Sequence, residues 1–74
     1  MSKNKFKIDL IGLKCPLPVL KANKIIKQHK KGDILEFHVN DNAAPEDFKN
    51  YCKTKNYKLI SITSKKNIII KIVI

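Results

Sequence analysis

One stretch of the sequence contains the end of a strand, a turn and the start of a helix: Asp9-Leu10-Ile11-Gly12-Leu13-Lys14-Cys15-Pro16-Leu17-Pro18. Just before the turn, apolar and polar residues alternate over residues 5–10, which is the period of a half-buried strand. Gly12 permits the turn because it has no Cβ. Pro16 suits the first helical position, since its φ is preset and it has no N–H to leave unpaired. We therefore predict that Cys15 is the N-cap residue of the first helix and is accessible.

The first helix is predicted to run from residue 16 to about residue 31. Its buried stripe recurs at about 3.6 residues per turn and consists of Val19, Ala22, Ile25, Ile26 and His29. Gly32 follows two lysines, and a glycine after a basic last turn is typical of a helix C-terminus. We therefore predict Gly32 as the C-cap.

A second helix is predicted after a second strand. Asp41 and Asn42 are its N-cap candidates, and Glu46 and Asp47 in the first turn complement the helix dipole. Asn56 is predicted to end it. The buried stripe of this helix would consist of Ala44, Phe48, Tyr51 and Cys52.

The remaining strands follow from alternation and turn signals. In the second strand every other side chain faces the core, namely Leu35, Phe37 and Val39. Residues 59–63 and 68–73 are rich in β-branched residues. The polar residues 64–67 between them indicate a hairpin.

The predicted order of elements is βαβαββ, which indicates an α+β fold built as a two-layer α/β sandwich. A four-stranded mixed sheet with two helices on one face buries both helical stripes economically. The first crossover predicts that the first two strands are parallel, and the hairpin predicts that the last two are antiparallel. A chain of 74 residues is too short to divide, so residues 1–74 are expected to form a single domain.

Composition limits the classes of function. All sixteen basic residues are lysines, and with six acidic residues the net charge is +10. Such a charge attracts polyanions and acidic proteins, but base readout and phosphate clamping favour arginine, so the charge permits RNA binding without indicating it. The sequence has no run of apolar residues long enough to span a membrane and no apparent signal peptide, and its two cysteines are therefore expected to be free thiols in the cytoplasm.

Cys15 is the candidate reactive residue. A helix N-terminus and the neighbouring Lys14 both favour the thiolate, which is the nucleophilic form, and the N–H groups of Leu17 and Val19 could hydrogen-bond the sulfur. The alternative is a buried, inert cysteine at the start of a helix. No second cysteine lies two residues on, so a thioredoxin-type pair is excluded, and a lone exposed thiol fits group carriage better than dithiol exchange.

The stretch Gly12-Leu13-Lys14-Cys15-Pro16-Leu17-Pro18, preceded by Asp9, resembles the signature of the TusA/SirA/YedF family of small sulfur-carrier proteins. Residues 41–52 resemble the family's acidic loop and second helix, and the length and element order also match. The chain departs from the family pattern in having Leu17 between the prolines, where an acidic residue is common. It also has Asp41-Asn42-Ala43 where the tRNA branch typically has Asp-Pro-Ala.

The resemblance implies that Cys15 carries sulfane sulfur as a persulfide. The donor would be a cysteine desulfurase and the acceptor a downstream sulfur-relay protein, most often in the formation of 2-thiouridine in tRNA, while other branches serve selenium, thiosulfate or sulfur oxidation. The protein would then act as a sulfurtransferase, with no metal and no organic cofactor implied. Residues that would support the turn and the helix start are Asp9, Gly12, Lys14, Pro16 and Pro18.

A docking surface can be inferred beside Cys15. Leu17 and Leu20 fall on the basic side of the first helix, near Lys21 and Lys24, rather than on its buried stripe. We hypothesise an apolar anchor surrounded by lysines that binds an acidic partner and makes at most transient contact with tRNA. The alternative is an ordinary solvated lysine face.

Cys52 and the two histidines have structural interpretations, and the sequence also permits two other functions. Cys52 is predicted to be part of the core, although a redox role is left open, and His29 and His38 have no metal-type spacing. The competing function is an RNA-binding or regulatory module, whose salt-sensitive RNA binding would survive Cys15→Ser. A selenium- or thiosulfate-linked carrier would keep Cys15 essential but change the donor.

Overall fold

The computed structural model describes residues 4–74. Its elements are β1 Lys5–Asp9, α1 Leu17–Ile26, β2 Ile34–Val39, α2 Ala44–Lys55, β3 Lys58–Ser64 and β4 Ile68–Val73. The predicted βαβαββ order and the mixed four-stranded sheet covered by two helices are therefore confirmed. None of the helices in this part of the chain is long and apolar enough to cross a membrane.

The strands are arranged in the order β1-β2-β4-β3. β1 and β2 are parallel and β3 and β4 are antiparallel, as the crossover and the hairpin predict, and β4 also pairs antiparallel with β2. The last strand therefore inserts between β2 and β3 instead of extending the edge of the sheet. As a consequence β2 and β4 are central, and the C-terminal ends of β1 and β2 lie side by side.

The core lies between the sheet and the helices. Alternate side chains of the two central strands are fully buried: Leu35, Phe37, Val39, Ile70 and Ile72. Each helix contributes a stripe of buried residues, which are Ala22 and Ile26 of α1 and Ala44, Phe48 and Cys52 of α2. The rings of Phe37 and Phe48 pack with centroids 5.3 Å apart and join the sheet to α2. The residues of β2 and of both helices are among those that the periodicities of the sequence assign to the core, although Val19, Ile25, His29 and Tyr51 of the predicted stripes are only partly buried.

The end of α1 differs from the prediction. The helix stops at Ile26, with Lys27 as C-cap, and the prediction that it extends to residue 31 with Gly32 as its cap is wrong. The N–H groups of residues 28 and 29 donate to carbonyls three residues back, which tightens the chain out of the helix. Gly32, at φ +99°, instead lies in the turn into β2 and donates its N–H to the carbonyl of Ile74.

His29 consequently lies beyond the helix and not in its last turn. Its ring stacks against Phe6, with centroids 4.3 Å apart, and its Nδ1 is 3.5 Å from the Asp33 carboxylate. The Asp33 carboxylate also accepts the N–H of Lys30 at 3.0 Å, so side-chain contacts define this turn. Periodicity alone could not detect them, because the buried stripe continues in phase through His29.

Both helix starts also differ from the prediction by one or two residues. Pro16 is the N-cap of α1, so Cys15 precedes the cap instead of forming it. The N-cap of α2 is Ala43 rather than Asp41 or Asn42, and no side chain caps it. The predicted end of α2 is confirmed, since Asn56 adopts the left-handed conformation at φ +62°.

Candidate functional site

The loop between β1 and α1 is fixed by local and long-range hydrogen bonds. The Asp9 carboxylate accepts the N–H of Ile11 at 2.9 Å, an Asx-type bond that steadies the turn. Gly12 has a φ of +91°, where a side chain would strain the backbone, and its N–H donates to Oδ1 of Asn40 at 3.0 Å. The loop is therefore attached to the end of β2 as well as to its own strand.

Cys15 lies at the exposed end of this loop and contacts two carboxylates. Its N–H donates to Oδ2 of Asp41 at 2.6 Å, and its thiol donates to Oδ2 of Asp47 at 2.7 Å. Asp41 follows β2, and Asp47 lies in the first turn of α2. The segment between β2 and β3 thus holds both the backbone and the sulfur of Cys15, which lies in the segment between β1 and β2.

The electrostatic prediction for Cys15 is wrong in sign. The hydrogen bond to Asp47, followed by slight desolvation and the negative charges of Asp47 and Asp41, raises the pKa of the Cys15 thiol above its ordinary value. The N–H of Leu17 donates to the carbonyl of Lys14 at 2.8 Å and is not available to the sulfur. The free protein therefore holds Cys15 as a thiol at neutral pH, and the helix N-terminus with Lys14 does not reverse this.

An open groove of about 320 Å³ begins at Cys15 and runs between the two helices. Its lining is formed by Cys15, Pro16, Val19, Leu20, Asp47, Asn50, Tyr51 and Thr54. The hydroxyl of Tyr51 donates to Oδ1 of Asn23 at 2.8 Å and so joins α2 to α1. A cavity of about 370 Å³ lies between the C-terminal ends of the helices, but its lining contains no thiol. The groove is thus the concave surface beside the reactive group.

Of the four predicted docking residues, only Leu20 lines the groove. Leu17 and Leu20 are 50% and 57% exposed, as expected of residues outside the buried stripe. Leu20 lines the groove, whereas Leu17 does not, and Lys21 and Lys24 are exposed on α1 outside it. Among the supporting residues, Pro16 lines the groove, and Pro18 is fully buried beneath the helix start.

The sequence did not indicate the residues after β2 that hold Cys15 and its turn, which are Asn40, Asp41 and Asp47. Asp47 is assigned by the sequence to the helix dipole and Asp41 to the helix cap, and nothing in the sequence singles out Asn40. One signal was available: parallel pairing of β1 and β2 places the segments after both strands at the same edge of the sheet. That argument locates the two acidic residues near Cys15 but does not say which of them reaches the sulfur.

The other cysteine is placed as predicted. Cys52 is 3% exposed within the core cluster, and burial raises the pKa of its thiol to about 11. Both cysteines are free. Within residues 4–74, no group of three or more His, Cys, Asp or Glu side chains is placed so that it could hold a metal ion.

An exposed free thiol at the end of an open groove is the arrangement expected of a protein that carries a group on cysteine. The family model described as "Sulfurtransferase TusA" matches residues 6–74, and the chain belongs to that family. The predicted resemblance is therefore confirmed, and the chain is a sulfur carrier of the TusA type at the level of its family.

Individual relatives agree with this assignment. A candidate sulfur carrier protein of Neisseria meningitidis serogroup A is 42% identical over 53 residues, which cover 72% of each chain. The candidate sulfur carrier protein YrkI of Bacillus subtilis is 31% identical over 62 residues, covering 84% of this chain and 83% of the relative. The crystal structure of a SirA-like protein from Desulfitobacterium hafniense has a TM-score of 0.80 at 22% identity, covers 92% of this chain and 95% of that one, and shares the fold.

Proposed function

We propose that Cys15 carries sulfane sulfur as a persulfide, which it receives from a cysteine desulfurase and passes to a downstream relay protein in the formation of 2-thiouridine in tRNA. The observation that carries this proposal is the contrast between the two thiols of the chain. Cys15 is exposed at the end of a groove, whereas Cys52 is buried in the core. Family membership supports sulfur as the group that is carried.

The chemistry needs one nucleophilic sulfur and no cofactor. Sγ of Cys15 attacks the terminal sulfur of the donor's persulfide, and the donor's S–S bond breaks with its electron pair on the donor cysteine. The acceptor's thiolate then attacks the terminal sulfur on Cys15, and Sγ leaves. Each step exchanges a persulfide for a thiol, so no net oxidation or reduction occurs.

The residues around Cys15 serve to fix its position. In this proposal Asp9, Gly12 and Pro16 hold the turn, and buried Pro18 anchors the helix start to the core. Lys14 is exposed beside Cys15, where it can attract an acidic partner. A rigid turn limits the orientations in which Sγ can meet the sulfur of a partner, which favours transfer between two proteins over random thiol exchange.

The proposal is tested by intact-mass spectrometry after incubation with a cysteine desulfurase and free cysteine. The native chain should gain one sulfur atom that dithiothreitol removes. Cys15→Ser should gain none, while the matched variant Cys52→Ser should gain as much as the native chain. Loading that survives Cys15→Ser would contradict the proposal, and so would failure of the native chain to load.

The acceptor pathway requires a separate measurement. Cells that lack the gene for this chain should contain less 2-thiouridine in hydrolysed tRNA, and the native chain should restore it while Cys15→Ser does not. Unchanged 2-thiouridine in those cells, with loading of Cys15 intact, would move the pathway to selenium, thiosulfate or sulfur oxidation.

Leu20 is proposed to anchor the partner, with Leu17, Lys21 and Lys24 around it. Leu20 is more than half exposed and lines the groove that begins at Cys15. Removal of an apolar anchor from an interface typically costs about 2 kcal/mol or more. We therefore expect Leu20→Glu to lower the rate of sulfur transfer from the desulfurase by about tenfold or more, measured at subsaturating donor.

The control for this prediction is Ile60→Glu. Ile60 is similar to Leu20 in size and is 44% exposed, but it lies on β3, outside the groove. This variant adds the same charge to the same chain and should transfer sulfur at the native rate. Circular dichroism should show that both variants are folded. If Leu20→Glu then transfers sulfur at the native rate, the docking proposal is wrong and the lysine-rich face is an ordinary solvated surface.

A further inference from the structure

We propose that Asp47 is the proton acceptor for Cys15: its carboxylate holds the thiol proton, takes it as Sγ attacks, and returns it to the leaving group. This inference rests on the proposed function and assigns to the same site a second catalytic residue. Asp47 touches the reacting atom, since Oδ2 lies 2.7 Å from Sγ. It thereby differs from Asp9, Gly12 and Pro16, which act through the backbone of the turn.

The geometry directs the carboxylate at the sulfur from a fixed support. The N–H of Asp47 donates to the carbonyl of Ala43 at 3.2 Å, so the residue is part of the first turn of α2. Asp41 accepts the N–H of Cys15 at 2.6 Å and fixes the other partner. The backbones of Cys15 and Asp47 are thus each fixed by a hydrogen bond that is separate from the one between Sγ and Oδ2.

A structural role alone does not account for this contact. Cys15 is exposed, so its thiol needs no buried partner, and a hydrogen bond at the surface adds little to the stability of the fold. A site that only needed a reactive thiolate would place cations around the sulfur, as in other activated cysteines. Here the carboxylate of Asp47 accepts the thiol proton and that of Asp41 accepts the backbone N–H, and their negative charges help to raise the pKa of the thiol.

With Asp47 as proton acceptor, every proton transferred in the reaction is accounted for without a base from outside the site. As the bond between Sγ and the donor's terminal sulfur forms, the Cys15 thiol gives its proton to Oδ2 of Asp47. The donor's S–S bond breaks, and its electron pair stays on the donor cysteine, which then takes the proton from Asp47. The products are the Cys15 persulfide and the donor thiol, and Asp47 is again a carboxylate. The same exchange runs in reverse when Cys15 is the leaving group.

This assignment predicts opposite effects on two reactions of one thiol. Asp47→Asn removes the charge that holds the proton, so alkylation of Cys15 by iodoacetamide at pH 7 should become several-fold faster. The same variant removes the proton acceptor, so single-turnover persulfide loading from a cysteine desulfurase should become at least tenfold slower. A residue that merely shapes the turn would not accelerate one reaction and slow the other.

Two further variants complete the experiment. Glu46→Gln removes the same charge from the neighbouring residue, which is exposed, and should leave both rates near those of the native chain. Asp47→Glu keeps a carboxylate and should recover part of the loading rate. Circular dichroism and a thermal melt establish that each variant is folded.

Three outcomes would overturn the inference. Faster loading of Asp47→Asn, in step with its alkylation, would mean that Asp47 only restrains the thiol. Equal loss of loading in Asp47→Asn and Asp47→Glu would mean that the residue acts through its shape. Native-rate loading of Asp47→Asn would remove it from the reaction. Absence of loading in the native chain would instead overturn the proposed function, and the inference with it.

Discussion

Phe37→Ala should leave most of the chain unfolded at room temperature. Phe37 is fully buried in the central strand β2, beside Ile8 and Ile70, and packs against Phe48. Truncation of a buried phenylalanine costs about 3–5 kcal/mol. A domain of this size is typically stable by roughly the same amount, about 3–5 kcal/mol, so the variant should lose nearly all of its free energy of unfolding.

Urea titration followed by far-ultraviolet circular dichroism measures this effect. The native chain should show one cooperative transition, whereas Phe37→Ala should have little or no folded baseline. Phe6→Ala is the control, because Phe6 is only partly buried on the edge strand β1 and should cost clearly less. A Phe37→Ala transition within about 1 kcal/mol of the native one would show that the core does not depend on this ring.

Cys52 should react with thiol reagents only when the protein opens. It is 3% exposed, and its pKa is raised to about 11, so both access and ionisation are limited in the native state. If the domain is stable by about 4 kcal/mol, labelling should be slower than in the unfolded chain by a factor of about a thousand. Labelling of Cys15→Ser, followed by peptide mass spectrometry, reports on Cys52 alone.

The protection of Cys52 is tied to the core and to pH. Combining Phe37→Ala with Cys15→Ser should abolish it, because the folded population is lost. A buried thiol whose pKa is raised from 9.0 to about 11 also stabilises the folded state fully below about pH 9. That contribution should fall as the pH rises toward about 11. Labelling of Cys52 as fast as that of Cys15 in the native chain would show that it is accessible and reopen its redox role.

Local patterns account for much of this protein. The alternation of β2, the stripe of α2 and its end at Asn56 follow from residues close in sequence, because side-chain period and helix termination are local properties. The same holds for the exposure of Leu20, which follows from its position on the helical wheel. The position of Cys15 at the start of a helix needed only the two prolines and the glycine of the turn.

Contacts distant in sequence decided the rest. The position of β4 between β2 and β3 depends on its pairing with both strands, which the pattern of no single strand specifies. After α1 ends at Ile26, the following turn packs His29 against Phe6 of β1, a contact that the stripe continuing in phase does not predict.

The state of the reactive thiol was also decided by tertiary structure. Asp41 and Asp47 lie 26 and 32 residues from Cys15 in the chain, and only parallel pairing of β1 and β2 brings them to it. Electrostatic interactions depend on distance in space, so the Asp47 carboxylate, 2.7 Å from Sγ, together with the charge of Asp41 outweighed the adjacent lysine and the helix N-terminus. The sequence by itself singled out Cys15 as the proposed carrier of sulfur, because its turn is encoded locally, whereas only the tertiary structure placed a carboxylate against its thiol.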